Sequence, residues 1–411
     1  MKKKKTFLIL ILVLIVLLII GGLFLYFHRK GKIIPTKEEL KPTEYKRVKL
    51  EDGSEIVNYG TCVSTEDDET CYLIVNESML TLRNSKVTKE SGDSTNLKES
   101  KYSGLNSAIL ATYGTIIKIE DSNITTEGEG ATGVYVNGQK AKGEFTKLNI
   151  STLKINSPGL AISNTGSITG DHVTINTKVK DSPAVLINNG VLTLTDSMLE
   201  TNGAGSPIIY TDSNVRLINT TGTANGSRIA IMENNANVVI NNSTMVVGAG
   251  SKEDYSESAV LITATDKDAK SVFQSINSSL NINKNLPYYN NAYFFIVDKA
   301  NTEIDLKETA FNFGSGNLLK GTNSNIVINL DNDVLYGTID LENSNLKINL
   351  INNSSYTGKI NNGEVSIFMS KDSELNLTGD LHLKSFTNDD TKNNNVILNG
   401  FHIYVNDEII I

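Results

Sequence analysis

The sequence predicts an all-β chain: a single-stranded parallel β-helix solenoid with one transmembrane helix at its N-terminus. Three observations point there. A short phrase keeps returning, as LTLRNSKV at 80–87, IKIEDSNI at 117–124, LTLTDSML at 192–199 and IDLENSNL at 339–346. Each reads apolar, x, apolar, x, Asp/Asn/Glu, a small polar residue, x, apolar. A companion phrase returns beside it, as SAILATYG at 107–114, PAVLINNG at 183–190, PIIYTDS at 207–213, SRIAIMEN at 227–234 and SAVLITAT at 258–265. A Gly-containing turn (TTEGEG, TNGAGSP, TANGS) then restarts the cycle. The repeat is about 21–25 residues, a period that belongs to solenoids.

Helical solenoids need about 33–47 residues and two helices per repeat, and no stretch here has a 3.6-residue apolar period. The leucine-rich repeat pattern is not found in register. Each cycle is therefore one rung, with strands on two or three faces. Alternate apolar residues point inward, and the Asp/Asn–Ser/Thr pair turns the corner. Short polar side chains bond the backbone there, and Asn tolerates the left-handed conformation. Stacking at about 4.8 Å puts like residues over like, so roughly 13–15 rungs give a rod of about 60–70 Å.

In chain order, residues 1–5 (MKKKK) read as a cytoplasmic stub and residues 6–27 as the transmembrane helix, since 7–27 carry no charge. At about 1.5 Å per residue that run matches the ~30 Å hydrocarbon core. A cleavable signal has a shorter apolar region and a small-residue cleavage site, and neither is present. Lys2–Lys5 favour a cytoplasmic N-terminus, while Arg29, Lys30, Lys32 and Lys37 crowd the other flank. Large domains translocate largely regardless of flanking charge, so the body is expected outside the cell membrane.

Residues 28–60 are charged, hold two prolines and lack a sustained apolar period, which reads as a spacer. Residues 61–320 carry the rungs. Residues 321–411 continue in shorter wording, with L-x-N-x-x-L returning after about eleven residues as if half a turn recurred, and then supply a cap for the open end. Cys62 and Cys71, the only two cysteines, bracket VSTEDDET between two extended stretches. In an oxidising compartment they close a small loop; two free thiols remain the alternative, and a metal pair would need further ligands. The acidic run 66–69 inside that loop reads as a solvated turn.

The rungs in SAILATYGTIIKIEDSNITTEGEGATGVYVNG resemble those of large adhesin-like β-helix surface proteins of Gram-positive bacteria, within the broader pectin-lyase-like superfamily. The tail SELNLTGDLHLKSFTNDDTKNNNVILNGFHIYVND resembles their closing module, with Leu375 where Trp is common and His382 where Ser is usual. The resemblance covers residues 72–411. It implies the fold and the cap, and it transfers no functional residue.

Net charge is −8, so the basic footprint of a nucleic-acid binder is missing. Lyases of the superfamily use an Arg or Lys base and clustered Asp for calcium, and hydrolases use paired Asp. Beyond residue 60 the arginines are Arg83, Arg216 and Arg228, with Arg216 expected on a solvent-facing strand position. Asp266/Asp268 and Asp331/Asp333 lack an acid partner, and Asp171–His172 sits where a corner pair belongs. No nucleophile set, metal triad, phosphate loop or calcium nonapeptide is visible. The expectation is a protein that is not an enzyme and needs no cofactor.

Binding is expected of the loops that interrupt the rungs. Two insertions, 88–106 and 248–258, fall at the same turn of the cycle and should rise from one edge, carrying Tyr102 and Tyr255. A third, 283–295, concentrates Tyr288, Tyr289 and Tyr293. These tyrosines are the candidate contacts for a glycan or a host or cell-surface protein, although the absence of Trp weakens a lectin reading. A spacer that recognises nothing and a degenerate polysaccharide-acting enzyme are the alternatives.

Overall fold

The computed structural model describes residues 46–58, 60–248, 257–284, 292–314 and 316–411. They all belong to one compact unit spanning residues 43–411. The residues expected to form the stub and the transmembrane helix, and most of those expected to form the spacer, lie outside the described residues. Among the described residues no helix is long and apolar enough to cross a membrane.

The described residues are almost entirely short parallel strands in stacked sheets, consistent with the β-helix that the repeat predicts. One face is a sheet of thirteen strands, from Lys46–Leu50 through Thr70–Ile74, Ile109–Ala111 and Val134–Asn137 to Ile360–Asn361. Twelve steps of about 4.8 Å make that face about 58 Å long. Pairing is rung to rung without slippage over long stretches. Leu80, Ile117, Gly143, Ile168, Leu192, Val215 and Val238 form one continuous inward column on the second face. Gly143 is the exception in size, and the Phe145 ring occupies the space its Cβ would take, 2.6 Å from the ring edge.

The recurring corner pair has a physical cause. The first residue of each pair is left-handed: Asn84, Asp121, Asp196, Asn219, Asn242 and Asn277 have φ between +45° and +50°. The second is a buried hydroxyl that links neighbouring rungs. Ser122 Oγ donates to Glu120 O and accepts from Ser85 N, Ser197 Oγ accepts from Val173 N, and Ser243 Oγ accepts from Thr220 N. Each hydroxyl so satisfies a backbone amide that turns away from the strand ladder. Asparagine ladders run outside, as in Asn301–Asn325–Asn345 at 2.7 Å per link.

Corners that lack the hydroxyl include Lys147–Leu148 and His172–Val173, and the corner at Asp333 departs furthest from this chemistry. Asp333 takes the hydroxyl position, 3% exposed, accepting from Thr309 N at 2.7 Å and Val334 N at 2.8 Å. Burial outweighs those amides and pushes its carboxyl from 3.8 up to about 6. The folded chain therefore holds a proton that the unfolded chain gives up at lower pH. That stabilisation is complete below about pH 4 and is lost as pH rises through about 6. Relative to an Asp333→Asn variant, the wild type is expected to lose about 1–2 kcal/mol between pH 4 and pH 7, discounted for partial hydration of the carboxylate. Urea midpoints of the two proteins at both pH values measure the difference.

The first rung starts earlier than the sequence suggested. Lys46–Leu50 pairs with Thr70–Ile74, and Glu55–Asn58 pairs with Met79–Arg83, so the C-terminal part of the 28–60 spacer belongs to the stack. Its strands are too short and too charged to show a period. Near the other end the third-face ladder stops at Ala310–Asn312. A separate four-stranded sheet then starts with Val334–Tyr336, and successive rungs shorten, Asn325 pairing with Asn345 and then Glu364. The eleven-residue echo is thus half of a shorter rung. The stack closes on Leu381–Leu383, Ile403–Val405 and an antiparallel return, Glu408–Ile409.

Candidate functional site: a groove beside an inserted helix

The insertion at 88–106 holds a helix, Leu97–Ser103. Asn96 caps its start, its side chain accepting from Glu99 N at 3.3 Å while its amide reaches Glu99 Oε1 at 3.2 Å. Gly104 ends it at φ +82°, donating to Glu99 O. A Cβ there would lie 2.7 Å from both Leu110 Cδ1 and Tyr135 Cγ, so the helix end is pressed onto the sheet.

The helix rests on the outer face of the thirteen-stranded sheet. Register places Leu73, Leu110, Tyr135, Ala161, Leu186, Tyr210, Ile231 and Leu261 in one outward row. Residues Leu73 to Leu186 of that row form a second apolar cluster with Val75, separate from the interior. Tyr135 Oη donates to Lys101 O at 2.8 Å, and Asn137 Nδ2 donates to Ser103 O at 3.1 Å.

The base of the insertion is gripped by the loop between Cys62 and Cys71, which are paired as a disulfide with Cα atoms 5.8 Å apart. Asp67 Oδ1 accepts from Asp93 N at 2.8 Å, Asp68 Oδ1 accepts from Thr95 N at 2.9 Å, and Ser91 Oγ donates to Thr65 O at 2.9 Å. Lys89, buried, donates to Glu66 O. Burial lowers its ammonium to about 8, against the raising effect of Glu69 and Asp67, Asp68 and Asp93. The expected solvated turn is corrected in part: Glu66 and Asp67 are exposed, whereas Asp68 is buried and clamps the insertion, and Glu69 is buried and accepts from Thr65 N and Glu66 N within its own loop.

Where the helix ends its cover, a groove of about 680 Å³ opens. Leu186, Tyr210, Ile231 and Leu261 line its floor, and Pro158, Pro183 and Pro207 line one side. The helix supplies Leu97, Lys98, Lys101 and Tyr102. Lys101 Nζ sits 4.7 Å from the Tyr210 ring centre and 5.4 Å from that of Tyr102. Tyr210 Oη donates to Glu233 Oε1 at 2.9 Å, and burial first, then the Glu233 charge, raise its pKa.

Of the tyrosines singled out in the sequence, Tyr102 lines this groove. Tyr293 lies on the same sheet, its hydroxyl donating to Asp340 Oδ2 at 2.9 Å, and burial with that carboxylate pushes it up to about 12. Tyr255, Tyr288 and Tyr289 lie outside the described residues. The expected insertion 283–295 is corrected at its end, because Tyr293–Asp298 is a strand; residues 283–292 join it to Ser279–Ile282, which pairs with the strand Thr244–Val247 that precedes the second insertion. Tyr210 and Lys101 were missed, because in the sequence Tyr210 is one letter of a strand phrase.

Asp266, Asp268 and Asp331 make ordinary turn and ion-pair contacts, whereas Asp333 is the buried corner carboxyl. Asp268 N donates to Asp266 Oδ1 at 3.0 Å within an exposed turn, and Asp331 pairs with Lys307 at 2.8 Å. Asp171, His172 and Asp196 offer ligand atoms within 4.8 Å of one another, but His172 and Asp196 are left-handed corner residues at φ +54° and +49°. No known protein-family model matches the chain, and no curated protein matches it.

Proposed function

We propose that the chain is a membrane-anchored extracellular β-helix, pectin-lyase-like in topology and adhesin-like in use, as in Gram-positive surface proteins, and that it binds a glycan or protein partner at the groove beside the inserted helix. The observation that supports this most is the covering of the outer face. An inserted helix packs on one part of an apolar row and leaves its last four positions, Leu186, Tyr210, Ile231 and Leu261, as the floor of a concave site. A spacer without a partner has no use for such a groove. In this reading residues 6–27 hold the protein at the membrane.

Glycan and matrix-protein arrays probed with the full chain in lipid nanodiscs test the reading. Saturable binding is expected, weakened on the order of tenfold by Tyr102→Ala combined with Tyr210→Ala, as truncation of central aromatic anchors does. Silence of the folded wild type across the arrays, or binding indifferent to both substitutions, points instead to a spacer.

A further inference from the structure

Resting on that reading of the groove, we infer that its occupant is an extended peptide segment in which an acidic residue stands beside aliphatic or aromatic ones. The groove suits a sugar poorly. Sugar recognition relies on a free, flat aromatic face, but the rings of Tyr210 and Tyr102 both lie under the Lys101 ammonium. The rest of the floor is branched aliphatic: Leu186, Ile231 and Leu261. These side chains suit the side chains of a peptide, which bring little desolvation cost.

Charge sets the second requirement. Lys98 and Lys101 project from the helix beside the apolar floor, and no ion pair forms with either among the described residues. Across the groove the Glu233 carboxylate is turned to the Tyr210 hydroxyl, and Asp181 lies 3.5 Å from Lys180. The helix side of the groove therefore carries the positive charge, and the Glu233 and Asp181 carboxylates keep the negative charge on the side across from it. In a chain whose net charge is −8, the positive side is a local exception that draws an acidic group to one edge. The sheet beneath has its strands paired on both sides, so the peptide cannot add as a further strand and must be read through its side chains.

The row spacing gives the length. Leu186, Tyr210, Ile231 and Leu261 are successive rungs, about 14 Å from first to last. That accommodates about four extended residues.

An array of randomised acetylated hexapeptides, read with the full chain in nanodiscs, tests this. The wild type is expected to retain peptides carrying Asp or Glu next to Leu, Ile or Phe on the order of tenfold over neutral ones. Lys98→Glu with Lys101→Glu is expected to invert the preference to Lys- or Arg-bearing peptides, a change that loss of fold cannot produce. An unaltered far-UV circular dichroism spectrum accompanies each variant. Peptide selection without an acidic preference, or a preference that survives the charge reversal, overturns the inference. Oligosaccharide binding that Tyr210→Ala abolishes, with no peptide retained, overturns it while leaving the groove as the binding site. Silence toward peptides, glycans and matrix proteins alike overturns both.

Discussion

Tyr135→Ala is expected to release the helix Leu97–Ser103 from the sheet at a cost of about 3–5 kcal/mol, the range for deleting a fully buried aromatic side chain. Tyr135 is buried without exposure, between Leu110 and Ala161 in the outward row. It holds the helix in two ways, through its hydroxyl on Lys101 O and through the contact of its ring with Gly104. Seven residues cannot sustain a helix in water without tertiary support. The loss should therefore appear as local opening and leave the rungs paired. Amide exchange of residues 97–106 should accelerate while that of 160–247 stays slow, and trypsin should cut after Lys98 and Lys101. Tyr135→Phe, which keeps the ring, is expected to cost about 1 kcal/mol. Unchanged exchange in the alanine variant would show that the disulfide loop alone holds the insertion.

Phe294→Ala carries an effect of similar size through a different route, about 3–5 kcal/mol. Its ring centre lies 5.0 Å from Phe295, 5.0 Å from Phe311 and 5.4 Å from Phe313, and Phe313 stacks on Tyr336 at 4.7 Å. These rings fill the interior where the third-face ladder stops and the narrower rungs begin. In a stack whose rungs touch only their neighbours, stability is a sum of local interfaces. Weakening this junction should split one unfolding transition into two. Pulse proteolysis in urea is expected to release the region after residue 310 before the region 60–248. Phe294→Leu, which keeps most of the volume, should retain a single transition. A single transition in Phe294→Ala, moved as a whole, would mean that the two halves are coupled by more than the aromatic plug.

The corner chemistry was legible because it repeats. Asn84–Ser85, Asp121–Ser122 and Asn242–Ser243 spell out a left-handed turn and a buried hydroxyl in the same two letters each time. The helix was not found by periodicity, since two turns give too few apolar positions. Its signal was local: Asn96 followed by Glu99, then Gly104. The cover over the sheet also left a trace. Val134–Asn137 and Leu160–Ser163 are buried at every position, whereas Val191–Thr195 on another face alternates. Unbroken apolar runs mean burial on both sides of a strand. Past the helix the alternation returns at Ile209–Thr211 and Ala230–Glu233, and this is where the groove lies. Lys98 and Lys101 gave no such signal, because isolated lysines in a polar loop look alike whatever they face.

Three insertions leaving from one turn give the molecule a built-in measure of distance. The first follows Lys86–Lys89, the second Thr244–Val247, and the third Ser279–Ile282, all in a single ladder of parallel strands. Six steps separate the first from the second, about 29 Å, and one more step of about 4.8 Å reaches the third. Excising or duplicating one whole cycle would change that interval by a fixed graduation. Length along such a chain is counted in whole rungs, and a partner that touched two loops at once would be gauged against that scale.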